Sequence, residues 1–143
     1  MAHNVKNWQE SEKYVSDTWN DRLDDSDIEG DTEAGTRVQP GSGNKWGARG
    51  DLVTQTEYGQ IVHSVKFTKR QSMRLSREMI EEIDKIAMEQ GDGMWSLDIV
   101  FEDGPAVAVL PLEDYIELEI ANIRLGEIEG KLGLANKWHE EVE

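Results

Sequence analysis

What most limits the fold of this chain is that the spacing of its apolar residues switches repeatedly between a helical period and a strand period. Residues 8–23, with Trp8, Tyr14 or Val15, Trp19 and Leu23 at intervals near three to four positions or twice that, predict a short amphipathic helix. Asp51–Thr56 and Gln60–Thr68 alternate instead and predict a hairpin turning at Glu57-Tyr58-Gly59. In its second strand Ile61, His63, Val65 and Phe67 share one face, and Val62, Ser64, Lys66 and Thr68 the other. The helical period returns after Ser76, a good N-cap, with Met79, Ile80, Ile83, Ile86 and Ala87 as its stripe and Gly91 as its stop. Two short strands follow, MWSLDIVF and PAVAVLP, joined at Glu102-Asp103-Gly104 with the glycine in the place of positive φ. LEDYIELEIANIRL predicts another helix, and Gly126, Gly130 and Gly133 then predict fraying or a separate short helix. An order of helix, strand pair, helix, strand pair, helix implies an α/β fold, a mixed sheet covered by helices on both faces.

Two stretches carry neither period. DDSDIEGDTEAGT is acidic, poor in apolar residues and predicts an exposed loop, and RVQPGSGNKWGARG predicts a turn-rich loop ending on Gly50-Asp51. The length of 143 residues suits one domain: an N-terminal helix and acidic loop (1–36), a core (37–115) and a C-terminal helical region (116–143). With no cysteine, no apolar leader and no run approaching the roughly 18 apolar residues of a membrane span, the expectation is a cytoplasmic protein without a membrane partner.

The formal charge of -15 argues at first against a nucleic-acid partner. Its distribution reverses that argument. Residues 1–33 carry ten acids and three bases and residues 78–143 eighteen acids and four bases, whereas residues 34–77 carry eight bases and only Asp51 and Glu57 as acids. A basic belt in an acidic body admits a phosphate backbone at one face. The same asymmetry is also compatible with solvated acidic helices and no ligand. Candidate phosphate or backbone contacts are Arg37, Ser42, Asn44, Lys45, Arg49, Lys69, Arg70, Gln71, Ser72, Arg74 and Arg77. Trp46 either stacks on a base or packs its loop against the sheet.

Within the belt, Asp51 and Lys66 are placed to meet across the hairpin. By spacing alone they read equally as a surface ion pair. His63 points to the face opposite Ser64 and reads as a packed core histidine.

The ordered set Arg37-Val-Gln-Pro-Gly-Ser-Gly-Asn44, Arg49-Gly-Asp51, Ser64-Val-Lys66-Phe-Thr68, Ser72, Leu75, the helix ending at Gly91 and Pro111-Leu-Glu-Asp-Tyr115 resembles small phage-type nucleases of the PD-(D/E)xK superfamily, many of them Holliday junction resolvases. The resemblance implies a restriction-endonuclease-like core, Asp51 as ligand of Mg2+ (or Mn2+), Lys66 orienting the attacking water, and cleavage of branched DNA by a homodimer, in the host cytoplasm if phage-encoded. The stripe Tyr115, Leu118, Ala121 or Asn122, Leu125 is then interface or simply core. In that family a glutamate stands two residues before the lysine; here it is Ser64, a poor Mg2+ ligand beside a carboxylate. Three alternatives follow: another carboxylate, Glu57 or Glu12, completes the metal site; the chain binds DNA or protein without cutting; or the serine was introduced to trap an inactive form. An acidic DNA mimic is the remaining rival.

Overall fold

The computed structural model describes residues 3–34 and 51–131, so the expected glycine-rich loop and the tail beyond Lys131 lie outside the described residues. The chain forms two compact units, 1–109 and 110–143. Each is described by itself.

In the first unit, α1 (Trp8–Asp25) and α2 (Arg77–Gln90) accompany a sheet of β1 (Gly30–Ala34), β2 (Leu52–Thr56), β3 (Gly59–Thr68), β4 (Met94–Phe101) and β5 (Ala106–Val109), in the spatial order β1-β2-β3-β4-β5. β3 and β4 run parallel, with α2 between them in sequence, and the other neighbouring pairs are antiparallel. This is the mixed sheet of an α/β fold with a helix on each face.

Period two in β3 divides those faces. Val65, with Leu52 and Val100, packs with Val15 of α1, while Val62, with Trp95 and Leu97, packs with Ile83 and Ala87 of α2. All five residues of the predicted α2 stripe take part in that second cluster. Burying Ile83 alone contributes roughly 2–3 kcal/mol. Ser76 caps α2 as expected, its Oγ accepting from the Met79 N–H at 3.2 Å, and Asn7 caps α1 through the Glu10 N–H at 2.9 Å. Ahead of α1, Lys6 donates a hydrogen bond to Asp103, which raises the pKa of its ammonium above the ordinary lysine value.

Two expectations for this unit are corrected. The acidic stretch expected as a loop contains β1, an edge strand paired along β2. Its signal is faint because Asp31 and Glu33 are exposed and its inward residue is Thr32, anchored by hydrogen bonds rather than by apolar area. At the β4–β5 turn it is Asp103, not Gly104, that takes the left-handed conformation, at φ 49°. Aspartate tolerates that region better than most side chains. In the hairpin turn Gly59 does meet a steric demand: at φ 155°, a Cβ there would lie 2.8 Å from Met94 Cε.

In the second unit, α3 (Leu112–Lys131) runs through Gly126 and Gly130 without the expected break. Two glycines cost a helix about 1 kcal/mol each against alanine, which the rest of the segment outweighs. Tyr115, Leu118 and Leu125 are exposed along it. No helix among the described residues is long and apolar enough to cross a membrane.

Candidate functional site

β2 and β3 lie in antiparallel register with Leu52 opposite His63, which brings Asp51 beside Ser64 where the β2–β3 ladder ends. The Asp51 N–H donates to the His63 carbonyl at 2.7 Å. Two residues further along β3, the Val65 N–H donates to Asp51 Oδ2 at 2.6 Å. Asp51 thus spans Ser64 with two bonds to β3, one from its backbone N–H and one to its carboxylate.

Lys66 leaves β3 one residue beyond the Val65 amide. It is half-buried, on the same face as Ser64, and among the described residues its ammonium makes no hydrogen bond or ion pair. A half-buried cation lacking a carboxylate is suited to an anionic ligand. The surface-pair alternative for Asp51 and Lys66 finds no such ion pair in the structure.

Past Lys66 the chain continues into exposed basic residues. Lys69 lies 3.9 Å from Glu102, and Arg77 pairs with Glu81 on the α2 surface. Arg70, whose N–H donates to Thr68 Oγ1, Gln71 and Arg74 are all exposed. Arg37, Ser42, Asn44, Lys45, Trp46 and Arg49 lie outside the described residues.

The two carboxylates expected to assist Asp51 fare differently. Glu57 sits in the turn at the far end of the hairpin, beyond Thr56 paired with Gly59. Six residues of extended chain separate it from Asp51, roughly 20 Å. That distance removes Glu57 from a shared metal site. Glu12 stands one helical turn before Val15, which packs with Leu52 and Val65, so it lies on the part of α1 that flanks the Asp51 end of the sheet. Among the described residues no group of three or more His, Cys, Asp or Glu side chains converges as a metal site. One carboxylate and a serine hydroxyl fall short of what a hard cation requires, so the described donor set does not by itself fit Mg2+.

Under α1 the structure adds a group that spacing alone missed. His63, fully buried, bonds through Nδ1 to Asp98 Oδ2 at 3.0 Å and through Nε2 to Thr54 Oγ1 at 2.7 Å. Thr54 Oγ1 meets Thr32 Oγ1 at 2.5 Å, and Ser96 Oγ donates to Asp98 Oδ1. Asn20 of α1 receives the Thr32 N–H and donates to the Thr32 carbonyl, and the Trp19 ring stands edge-on to His63 at 5.4 Å. The available signal was Asp98 itself: an acid inside the apolar run Trp95-Ser-Leu-Asp-Ile-Val-Phe101 is buried with the strand and needs a buried partner.

No protein-family model matches the chain. The search of curated proteins finds no match either. Among solved structures the chain is similar to Hjc, a Holliday junction resolvase from the archaeal hyperthermophile Archaeoglobus fulgidus. The identity is 16%, the TM-score 0.43, and the similarity covers 68% of this chain and 75% of that one. It carries no information about the chemistry of Asp51 or Lys66.

Proposed function

We propose that this protein binds the phosphodiester backbone of DNA at the Asp51–Lys66 end of its sheet and acts there as a metal-dependent, structure-selective endonuclease of the resolvase type. The observation that carries the reading is the pairing of opposites at the end of β3: a carboxylate clamped to the strand beside Ser64, and a half-buried lysine with no ion pair among the described residues. Lys66 offers its ammonium to a phosphate oxygen, and Lys69, Arg70 and Gln71 extend the contact along the backbone. The acidic remainder of the chain repels DNA and favours approach by this one face. Two symmetric cuts in a branched substrate need two sites, hence a homodimer.

Because the described donor set falls short of a complete cation site, no catalytic step is assigned to a metal. Glu12 is the carboxylate proposed to complete the site with Asp51, and Mg2+ or Mn2+ is the proposed ion. Ser64 favours a second reading, a relative that binds DNA without cutting it.

Cleavage of a labelled four-way junction and a matching duplex, in Mg2+, Mn2+ or EDTA, tests both readings. The expected result is metal-dependent cutting of the junction that Asp51→Ala and Lys66→Ala abolish and Glu12→Gln lowers at least tenfold. Cutting by Ser64→Glu alone establishes the binding-only reading for this sequence. Absence of salt-sensitive DNA binding would sink both and leave the acidic mimic.

A further inference from the structure

Asp51 is fixed to β3 at two points, its backbone N–H donating to the His63 carbonyl and its carboxylate accepting from the Val65 N–H, so it goes wherever residues 63–65 go. Backbone ladders set the register of β3 with β2 and β4 but leave neighbouring strands room to twist and shear by fractions of an ångström. The His63 side chain removes that freedom where Asp51 is held. One ring nitrogen is tied to β4 through Asp98 and the other to β2 through Thr54, which bonds to Thr32 on β1. The protons are accounted for. In the assignment that satisfies every group, Nδ1–H donates to Asp98 Oδ2, Nε2 accepts the Thr54 hydroxyl and the Thr54 oxygen accepts the Thr32 hydroxyl. A chain in which every donor meets an acceptor has one geometry, and a shift of β3 breaks a bond on one side or the other.

We propose that His63 is a positioning residue: held by Asp98 and Thr54, it fixes the stretch of β3 that carries the Asp51 carboxylate, and so sets where that carboxylate stands beside Lys66 in the DNA-processing site. This rests on reading Asp51 as the acidic group of a DNA-processing site. Residues packed on the other face, such as Ile83, bear equally on folding but make no bond to residues 63–65.

The test uses the full chain and three variants: Thr54→Val, which keeps the volume and removes the hydroxyl; Asp98→Asn, which keeps the shape and changes the donor pattern; and Ile83→Val, a control on the α2 face. The first readout is hydrogen exchange and chemical shift of the Val65 amide, with Asp51→Ala marking the signal of an opened clamp. Thr54→Val and Asp98→Asn should raise Val65 exchange at least tenfold relative to the Ile61 amide and move its resonance toward that of Asp51→Ala, while Ile83→Val changes neither. The second readout is junction cleavage, where kcat should fall roughly 10–100-fold at unchanged KM in the two network variants only, the range typical of lost supporting hydrogen bonds around a site. A Val65 amide that stays protected in a folded Thr54→Val protein overturns the proposal, whether or not the protein cuts. A loosened amide in a protein that never cuts supports His63 as the group placing Asp51 and defeats only the endonuclease reading.

Discussion

Under α1 the sheet buries Thr32, Thr54, His63, Ser96 and Asp98 alongside its apolar residues, whereas under α2 the buried cluster is Val62, Ile83, Ala87, Trp95 and Leu97. Both faces belong to the same strands, so the difference comes from alternation alone: His63 and Asp98 point one way, Val62 and Leu97 the other. An apolar cluster is stabilised by area removed from water and tolerates rearrangement of equal volume. A buried polar chain gives little net stability per bond, but each unmade bond is costly, and it therefore selects one arrangement of strands. The α2 face holds the sheet together; the α1 face specifies how β1, β2, β3 and β4 stand to one another, and Asp51 hangs from the specified part.

The contrast breaks most readily at Asp98. Asp98→Leu leaves the buried His63 ring and Ser96 hydroxyl without their acceptor, and should cost about 4 kcal/mol in urea unfolding. A loss below about 1 kcal/mol would falsify the view that this face is specified by its polar chain. Next comes Ile83→Ala on the apolar face, expected to cost about 3 kcal/mol from lost burial and the cavity left behind. Ile83→Leu should cost under about 1.5 kcal/mol, because the cluster needs volume more than shape. If the leucine variant proves as damaging as the alanine variant, the two faces are equally specific and the contrast fails.

The same division explains what could be read from the sequence. Elements whose inward faces are apolar, α2 with its stripe and the hairpin strands with theirs, were legible with nearly correct ends, since a period needs only residue types. β1 was not, because its anchor is Thr32 and its partners, Asn20, Ser16 and Thr54, are distant in sequence or on another element. His63 was legible as a core residue by alternation, but its bonds to Asp98 and Thr54 depend on strand order, which a period does not reveal. At the candidate site, the closeness of Asp51 to Ser64 follows from the hairpin. The clamp on the Val65 amide requires the register itself, whereas the displacement of Glu57 to the far end already follows from the predicted turn at Glu57-Tyr58-Gly59.

Thr54→Val gives a smaller effect that sharpens the comparison. It swaps a hydroxyl for a methyl at constant volume inside the polar chain, leaves His63 Nε2 and Thr32 Oγ1 each short of a partner, and should cost about 1–2 kcal/mol. The matching change on the other face, Val62→Thr, introduces a hydroxyl into the apolar cluster of Ile83, Ala87, Trp95 and Leu97, and should cost a similar amount for the opposite reason. Equal and opposite sensitivity to one atom is the signature of two chemically distinct faces.

The smallest effect asks whether the contrast lies in the sheet or in the helices that cover it. Asn7→Ala and Ser76→Ala remove the N-caps of α1 and α2, side chains that accept from Glu10 and Met79 amides. Each loss is local to the first helical turn and should cost about 1 kcal/mol. Because the caps do not touch the sheet's buried residues, the two costs should agree within a few tenths of a kcal/mol although the faces beneath differ. A much larger cost for Asn7→Ala would mean that α1 is the weaker helix, and that the bonds from Asn20 and Ser16 to β1 serve chiefly to hold α1 in place. Agreement would locate the specificity in the strands, where Asp51 is held.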